Sequence, residues 1–238
     1  VMDYRLNALK QMPNVEIYYE SEVTPENIID FGFENVIVAT GATWKNNGQG
    51  RDGRDLLKTD DSVKILTPDD LMHGIIPEGE VIIYDTDNYY MAGILANKCL
   101  DLGLEVIYMS PANRVSDWTE NTLEQERIQT QLMQKGVKLS LNQKLTEVKD
   151  SEVISECVYT RKKFHTGCKN LTLVTERRPN DNLFTDLINQ HEFKHFSLIG
   201  DAYAPGIIAQ AVHSGHLEAQ LFGDENSNKN VFKRDKGL

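Results

Sequence analysis

Residues 81–109 have the sequence VIIYDTDNYYMAGILANKCLDLGLEVIYM, and the order of apolar and polar residues in it is the strongest indication of fold class. Two apolar runs, Val81–Tyr84 and Glu105–Met109, have the length and composition of buried strands. Between them, apolar residues recur at helical spacing until Gly103, which is typical of a helix end. A strand, a helix and a strand joined by short turns predict parallel strands with a right-handed crossover.

The same pattern continues on the C-terminal side. The sequence predicts a helix from about Asn121 to Gln134, a strand over Val137–Leu141 and a further strand over Leu171–Val174. Between the last two, residues 144–168 alternate and have high strand propensity, which predicts an antiparallel meander. We therefore predict an α/β fold built on a parallel sheet.

The N-terminal side has further recognisable elements. A strand is predicted over Val15–Tyr19. Two helices are predicted to begin at Thr24-Pro25 and Thr67-Pro68, because a threonine N-cap followed by proline is a typical helix start. Residues 44–64 contain three glycines and many charges, so a long polar loop is expected there.

Two segments have the composition of strand ends in nucleotide sites. In Val38–Ala42, the small residues Thr40 and Gly41 end an apolar run, which would let a cofactor approach the backbone. Open α/β sheets bind ligands beyond the carboxyl ends of their strands. The alternative interpretation of this segment is a tight strand exit with no ligand.

The second segment follows the predicted strand Phe196–Ile199. Gly200 and Asp201 form a turn, and Gly206 begins a predicted helix that ends near Phe222. A glycine turn followed by a helix N-terminus predicts an anion site, in which Asp201 would accept hydrogen bonds from sugar hydroxyls. The alternative is that Asp201 only caps the helix. The candidate nucleotide-binding residues are thus Thr40, Gly41, Gly200, Asp201 and Gly206.

The composition is that of an acidic globular protein. The 238 residues are 40% hydrophobic, and 25 Lys and Arg against 36 Asp and Glu give a net charge of −11. This charge would repel a phosphate backbone, so no nucleic-acid partner is expected. No apolar run approaches the ~18 residues that cross a bilayer, and no secretory leader is visible. Neither a membrane nor an export route is therefore expected.

The three cysteines are Cys99, Cys157 and Cys168. They form no close pair and no metal-ligand spacing, so no metal site is predicted in this chain. Sparse, unpaired cysteines are typical of reduced thiols, and a cytoplasmic location is expected.

The motifs together resemble the flavin-disulfide-reductase fold and, more narrowly, the C-terminal region of the trimethylamine, dimethylamine and histamine dehydrogenase family. This family is related to dienoyl-CoA reductases of the old-yellow-enzyme group. The resemblance runs over nearly the whole chain. The segments that carry it are Val36–Trp44, Thr67–Met72, Val81–Gly93, Val115–Arg127 and Ile199–Ala211.

This resemblance implies a larger parent protein. Family members carry an N-terminal TIM barrel with FMN and a four-iron–four-sulfur cluster, oxidise amines, and pass electrons to an electron-transfer flavoprotein. A homodimer is the expected assembly. Their C-terminal region binds ADP or FAD in one of two dinucleotide-type domains. The barrel and the first glycine-rich strand–turn–helix unit have no counterpart here, so no catalytic residue is carried over and no tightly bound cofactor is expected in the chain alone.

The implied fold is two interleaved, three-layer, Rossmann-like domains of the FAD- and NAD(P)-binding type, with an antiparallel meander. Residues 1–75 and 179–238 would form a truncated FAD/ADP-binding-type domain. Residues 76–178 would form a vestigial NAD(P)-binding-like insert.

The turn Asp85–Gly93 argues against an NAD(P)H site in that insert. A GxGxxG turn lets the pyrophosphate approach the backbone, but only the last glycine is present here. Asp85 and Asp87 would each oppose the pyrophosphate by about 4 kcal/mol at ~4 Å and an effective dielectric of 20. Glu176 also stands where such domains usually have a glycine.

Three alternative functions are compatible with this sequence. The leading one is the adenine-nucleotide-binding and structural portion of an FMN and iron–sulfur amine dehydrogenase, inactive by itself. The second is part of an NAD(P)H-dependent flavoprotein reductase of the dienoyl-CoA reductase type. The third is a scaffold that binds no ligand.

Overall fold

The computed structural model describes residues 2–222. The α-helices within them are α1 (Met2–Lys10), α2 (Pro25–Phe31), α3 (Pro68–Met72), α4 (Tyr90–Asp101), α5 (Gln125–Gln134), α6 (Asn182–Ile188) and α7 (Ile208–Leu221). The strands are β1 (Asn35–Val38), β2 (Ala42–Trp44), β3 (Lys58–Thr59), β4 (Lys64–Leu66), β5 (Val81–Asp85), β6 (Val106–Ser110), β7 (Lys138–Leu141), β8 (Gln143–Lys149), β9 (Glu152–Cys157), β10 (Lys163–Gly167), β11 (Asn170–Val174), β12 (Arg177–Pro179) and β13 (His195–Leu198). Residues 223–238, the last part of the predicted range 179–238, lie outside the described residues.

A five-stranded parallel sheet, in the order β4-β11-β5-β6-β7, forms the main core. Every residue of β5, β6 and β11 is buried, which explains their continuous apolar sequences. Alternate residues of these strands face opposite sides. One set, including Val81, Ile83, Val106 and Tyr108, packs against helices α4 and α5. The other set, including Ile82, Tyr84, Ile107 and Met109, packs against a second sheet.

That second sheet has the order β10-β9-β8-β3. Strands β8, β9 and β10 are antiparallel neighbours, and the short β3 pairs in parallel with β8. Leu145, Val148 and Val153 of this sheet lie in the same apolar cluster as one face of the parallel sheet. The middle of the chain therefore has three layers, namely helices, a parallel sheet and an antiparallel sheet, and the predicted meander is present.

The remaining elements build a thinner region. Strand β1 pairs in parallel with β13, from Asn35 opposite His195 to Val38 opposite Leu198. Strand β2 pairs in antiparallel with β12, next to the point where the chain returns from the five-stranded sheet. Residues from both ends of the described chain are thus neighbours in space. The whole is a mixed α/β structure with several sheets, as predicted.

Local sequence signals determine the predicted helix starts. Thr24 accepts a hydrogen bond from the Asn27 N–H, and Thr67 accepts one from the Asp70 N–H, so both threonines are N-caps before a proline. Gly103 follows Leu102, the C-cap of α4, and has a φ of 78°, a left-handed conformation that glycine adopts without strain.

Four predicted elements differ from the structure. The region 44–64, predicted as a long polar loop, contains strand β3 and the first residue of β4, because both strands find a pairing partner far away in the sequence. Residues 15–18 have irregular structure, because an alternating run forms a stable strand only beside a pairing edge. The helix predicted from Asn121 begins at Gln125, since Leu123 has a φ of 61° and separates a 3-10 turn, Asp117–Thr122, from α5. Helix α7 begins at Ile208, so Gly206 precedes the helix rather than beginning it.

Across residues 2–222, no helix has both the length and the apolar character needed to span a membrane.

Candidate functional site

The two predicted nucleotide segments lie at the same edge of one strand pair. Strands β1 and β13 are parallel and in register, and the Ile199 N–H donates to the Val38 carbonyl at 2.9 Å. Thr40-Gly41 follows β1, and Gly200-Asp201 follows β13. The structure therefore brings four of the five predicted site residues to the carboxyl ends of adjacent parallel strands, where open α/β sheets bind ligands.

The polar groups of Thr40 and Gly41 are bonded to Asn180. Thr40 Oγ1 donates to the Asn180 carbonyl at 2.5 Å, and the Asn180 N–H donates to the Gly41 carbonyl at 3.0 Å. Gly41 has a φ of 74°, and a Cβ atom there would meet nothing within 4 Å. This left-handed backbone conformation favours glycine over other residues. These bonds fix the strand exit with or without a ligand.

The second segment is held by Arg177. One guanidinium nitrogen of Arg177 donates to Asp201 Oδ2 at 2.6 Å, and the other donates to the Gly206 carbonyl at 2.5 Å. Asp201 Oδ1 accepts the Gly206 N–H at 3.1 Å. Asp201 therefore closes the turn before α7, but it bonds a residue outside the helix, whose N-cap is Ile207, so the alternative that it caps the helix stays a prediction. Its role towards a sugar hydroxyl stays a prediction as well.

The donors just before α7 are already engaged. The Gly206 N–H is bonded to Asp201, and the Ile207 N–H donates to Gln210 Oε1 at 2.9 Å. These two N–H groups are therefore not available to an anion at this helix start.

Sequence reasoning missed Arg177. Besides its bonds to Asp201 and Gly206, its guanidinium lies 5.4 Å from the ring centroid of Trp44, so it joins β12, β2 and the turn after β13. The sequence pattern pointed instead to the neighbouring Glu176, which stands where a glycine is usual. In the structure Glu176 forms an ion pair with Lys45 at 2.6 Å. Nothing local in the sequence indicates that Arg177 meets Asp201, 24 residues away.

The turn after β5 has a different structure from the one predicted. Asp85 is fully buried, and its carboxylate accepts hydrogen bonds from the Tyr108 hydroxyl and from the Asn88 N–H, the latter at 2.8 Å. Burial raises the pKa of Asp85 to about 7. The prediction that Asp85 faces a pyrophosphate is therefore wrong, because this carboxyl group points into the protein.

Asp87 is the remaining carboxylate of that turn. Burial raises its pKa, while the positive charges of Arg51 and Arg177 act in the opposite direction. Tyr89 and Tyr90 pack edge to face, with 4.4 Å between their ring centroids, and the Tyr90 hydroxyl contacts Thr122 Oγ1 at 2.8 Å. Side chains, rather than exposed backbone, thus surround the start of α4.

The cysteines make no site within the described part of the chain. Cys99 and Cys168 are buried and Cys157 is half-buried, and all three are free thiols. Residues 2–222 contain no group of three His, Cys, Asp or Glu side chains that could hold a metal ion.

Comparisons with known proteins agree with the sequence resemblance. The family model for an OYE-like second alpha/beta domain matches residues 66–161. Dimethylamine dehydrogenase from Hyphomicrobium sp. (strain x) is 26% identical over 267 residues, a match that covers 98% of this chain and 36% of that protein.

Solved structures of amine-oxidising enzymes are also similar to nearly the whole chain. Histamine dehydrogenase from Rhizobium sp. 4-9 is 37% identical with a TM-score of 0.89, over 99% of this chain and 36% of that chain. A 6-hydroxypseudooxynicotine amine oxidase from Pseudomonas geniculata N1 is 32% identical with a TM-score of 0.88, over 93% of this chain and 34% of that chain.

The chain spans 34–36% of the length of these three relatives, while the matches include nearly all of its own residues. The chain is therefore a homologue of the dimethylamine and histamine dehydrogenases, and its match is consistent with the C-terminal region of their family.

Proposed function

We propose that the chain is the adenine-nucleotide-binding and structural portion of an amine dehydrogenase that contains FMN and a four-iron–four-sulfur cluster. The observation that carries this proposal is the meeting of Thr40-Gly41 and Gly200-Asp201 at one sheet edge in a homologue of dimethylamine and histamine dehydrogenases. A nucleotide site at that edge has the usual position for an α/β sheet.

The rest of the proposal concerns the whole protein. FMN and the cluster would lie in an N-terminal TIM barrel of the same polypeptide, where a small amine would be oxidised by demethylation or deamination. Electrons would pass to an electron-transfer flavoprotein. The protein would be a cytoplasmic homodimer, and ADP or FAD would lie near Thr40, Gly41, Gly200, Asp201 and Gly206.

The burial pattern supports an incomplete nucleotide domain. Strand β13 is only half-buried, and β1 is exposed at two of its four positions. Every residue of α7 is half-buried or exposed, with Ile208 at 84%. Parallel sheets are normally covered on both faces. Residues 1–75 and 179–238 would therefore be the truncated FAD/ADP-type domain, interleaved with the well-buried, NAD(P)-like insert of residues 76–178.

A scaffold without a ligand is the second candidate. It is favoured by the internal hydrogen bonds of Thr40, Asp201 and Gly206, which complete the strand exits without a nucleotide. The nucleotide content of the purified whole protein distinguishes the nucleotide-binding portion from the scaffold. ADP or FAD released on denaturing the whole protein would support the first, and its absence would support the scaffold.

The chain alone is expected to be colourless and free of iron, whereas the whole protein shows a flavin spectrum that dimethylamine or histamine bleaches. The physical reasons are that residues 2–222 contain no group of His, Cys, Asp or Glu side chains that could hold a metal ion, and that the flavin is proposed to lie in the barrel. Absorbance spectroscopy and elemental analysis on both proteins measure this. A flavin spectrum or stoichiometric iron in the chain alone would contradict the placement of the cofactors, and a spectrum unaffected by amines would contradict the amine dehydrogenase.

NADH and NADPH are expected to bind the chain with dissociation constants above about 1 mM. The turn after β5 carries side chains in place of glycines, and Asp87 remains on it. Isothermal titration calorimetry measures the affinity, with Asp87→Gly as the variant that removes the repulsion. Asp85 is left unchanged because its carboxyl group is structural. A low-micromolar constant for the unaltered chain would favour the NAD(P)H-dependent reductase instead.

A further inference from the structure

Residues 47–57, which we call the strap, form a closed loop within the predicted polar region. The Leu57 N–H donates to the Asn47 carbonyl at 2.8 Å and joins the two ends. At the tip, Gly50 and Gly53 exchange N–H to carbonyl hydrogen bonds of 3.0 and 3.3 Å. Gln49 Nε2 adds a bond of 2.8 Å to the Arg54 carbonyl. The strap therefore has a defined internal structure.

The tip of the strap lies against the ends of two neighbouring strands of the five-stranded sheet. A Cβ atom at Gly50 would come within 2.7 Å of Thr86 Oγ1 and 3.1 Å of Thr175 Cβ. Thr86 follows β5 and Thr175 follows β11, and these strands are paired. Only a residue without a side chain allows the strap to approach this closely.

This position is the topological switch point of the sheet. From β5 the chain proceeds to β6 and β7 on one side, whereas β11 and β4 lie on the other side. Ligands of open α/β sheets bind beyond the strand ends at such a point. The strap occupies that place.

Several contacts hold the strap down. Lys144 Nζ donates to the Asp52 carbonyl at 2.6 Å, and the Tyr84 hydroxyl donates to Asp52 Oδ2 at 3.3 Å. The Arg51 guanidinium lies 5.3 Å from the Trp118 ring centroid and also interacts with the charge of Asp87. These anchors come from both sheets and from the segment after β6.

The strap covers polar atoms that a ligand could otherwise reach. Thr86 and Thr175 are each 2% exposed. Among residues 2–222, neither hydroxyl has a hydrogen-bond partner. Buried hydroxyls without partners are unusual in proteins, which is consistent with a groove that has been covered rather than filled by matching polar groups.

We propose that the strap is an internal occupant of the dinucleotide groove in the five-stranded sheet, held closed by the Gly50 and Asp52 contacts, and that it excludes nucleotides from this groove. The inference rests on the proposed NAD(P)-like character of residues 76–178, but it does not depend on amine oxidation, because it concerns a different sheet from the one formed by β1 and β13.

Two alanine substitutions in the full-length protein test this. Gly50→Ala places a Cβ against Thr86 and Thr175, whereas Gly53→Ala meets only the flexible end of Lys144 at 3.4 Å. Trypsin cleavage after Arg51 and Arg54, followed by mass spectrometry, reports how often the strap opens. We expect at least a tenfold faster cleavage in Gly50→Ala and a change of less than about twofold in Gly53→Ala.

A third variant, Asp52→Asn, leaves the Lys144 bond to the Asp52 carbonyl in place. It weakens the ion pair between Lys144 Nζ and Asp52 Oδ2, which are 3.4 Å apart, and the bond from the Tyr84 hydroxyl without adding volume, so about threefold faster cleavage is expected. Hydrogen exchange distinguishes strap opening from unfolding. Exchange should accelerate in residues 84–88 and 172–176 and stay unchanged in α4. Equal cleavage in the wild type and all three variants would overturn the proposal. Slower hydrogen exchange of residues 84–88 on addition of millimolar NADH to the wild type would also overturn the proposal, because it would show that the nucleotide enters the groove.

Discussion

When the pH is raised from about 4.5 to about 8, the free energy of unfolding of the unaltered chain is expected to fall by roughly 3–4 kcal/mol more than that of the Asp85→Asn variant. Burial raises the folded-state pKa of Asp85 from its ordinary value of 3.8 to about 7. The folded protein therefore keeps this proton at pH values where the unfolded chain has lost it. The stabilisation that this proton gives the unaltered folded chain is fully present below pH 3.8 and is lost as the pH rises through 7.

The surroundings of Asp85 act on its pKa in opposite directions. Complete burial raises the pKa by more than the Tyr108 hydroxyl and the Asn88 N–H, which donate to the carboxylate, lower it. The charge of Asp87 in the same turn raises the pKa of Asp85 further. Asparagine has nearly the same shape and no charge at any of these pH values, so it removes the linkage to protons.

Urea unfolding of the unaltered chain, Asp85→Asn and Asp150→Asn at both pH values measures this difference. Asp150 is a suitable control, because its side chain is 80% exposed. The unaltered chain and Asp150→Asn should show the same pH dependence. If Asp85→Asn also shows that dependence, the carboxyl group of Asp85 does not titrate in this range and the expected linkage is absent.

The sequence predicts well the features that depend on neighbouring residues. Thr24 and Thr67 identify two helix starts because each N-cap bonds to a backbone N–H three residues later. The apolar runs around Val81 and Val106 identify buried parallel strands, since both faces of those strands are covered. The resemblance implied only that residues 1–75 and 179–238 form one domain. The pairing of β1 with β13 itself has no local pattern that predicts it, because 156 residues lie between the two strands.

Features that depend on distant side chains were not predictable from the sequence. The carboxyl group of Asp85 was expected to point out of the turn, where it would repel a pyrophosphate, but it bonds to Tyr108, 23 residues away. The loop of residues 44–64 was expected to be only polar, yet Gly50 lies against Thr86 and Thr175. In each case the deciding partner is brought near by the fold, and no short-range rule identifies it.

Arg177→Gln is expected to lower the free energy of unfolding of the β1–β13 region by about 1.5–3 kcal/mol. Two charge-assisted hydrogen bonds, to Asp201 and to the Gly206 carbonyl, would be lost. Loss of the contact with Trp44 would add about 0.5–1 kcal/mol. Since Asp201 would then keep only the Gly206 N–H as a partner in this cluster, the turn before α7 should open more often.

The adjacent residue supplies the matched control. Arg178 lies in the same strand but is exposed, so Arg178→Gln changes the net charge equally without removing the Asp201 contact. Hydrogen exchange at the Gly206 amide, together with thermal unfolding, should separate the two variants. Exchange is expected to be at least tenfold faster in Arg177→Gln, which corresponds to about 1.4 kcal/mol, and unchanged in Arg178→Gln.

The same pair of variants bears on the nucleotide proposal in the whole protein. If ADP or FAD lies beside Asp201, Arg177→Gln should reduce the nucleotide that is released on denaturation, because the wall formed by Gly200–Gly206 is no longer held in place. Arg178→Gln should retain the wild-type amount. A loss of Gly206 protection with full retention of nucleotide would mean that Arg177 stabilises this turn while the nucleotide is bound elsewhere, and the assignment of Asp201 to the site would then be wrong.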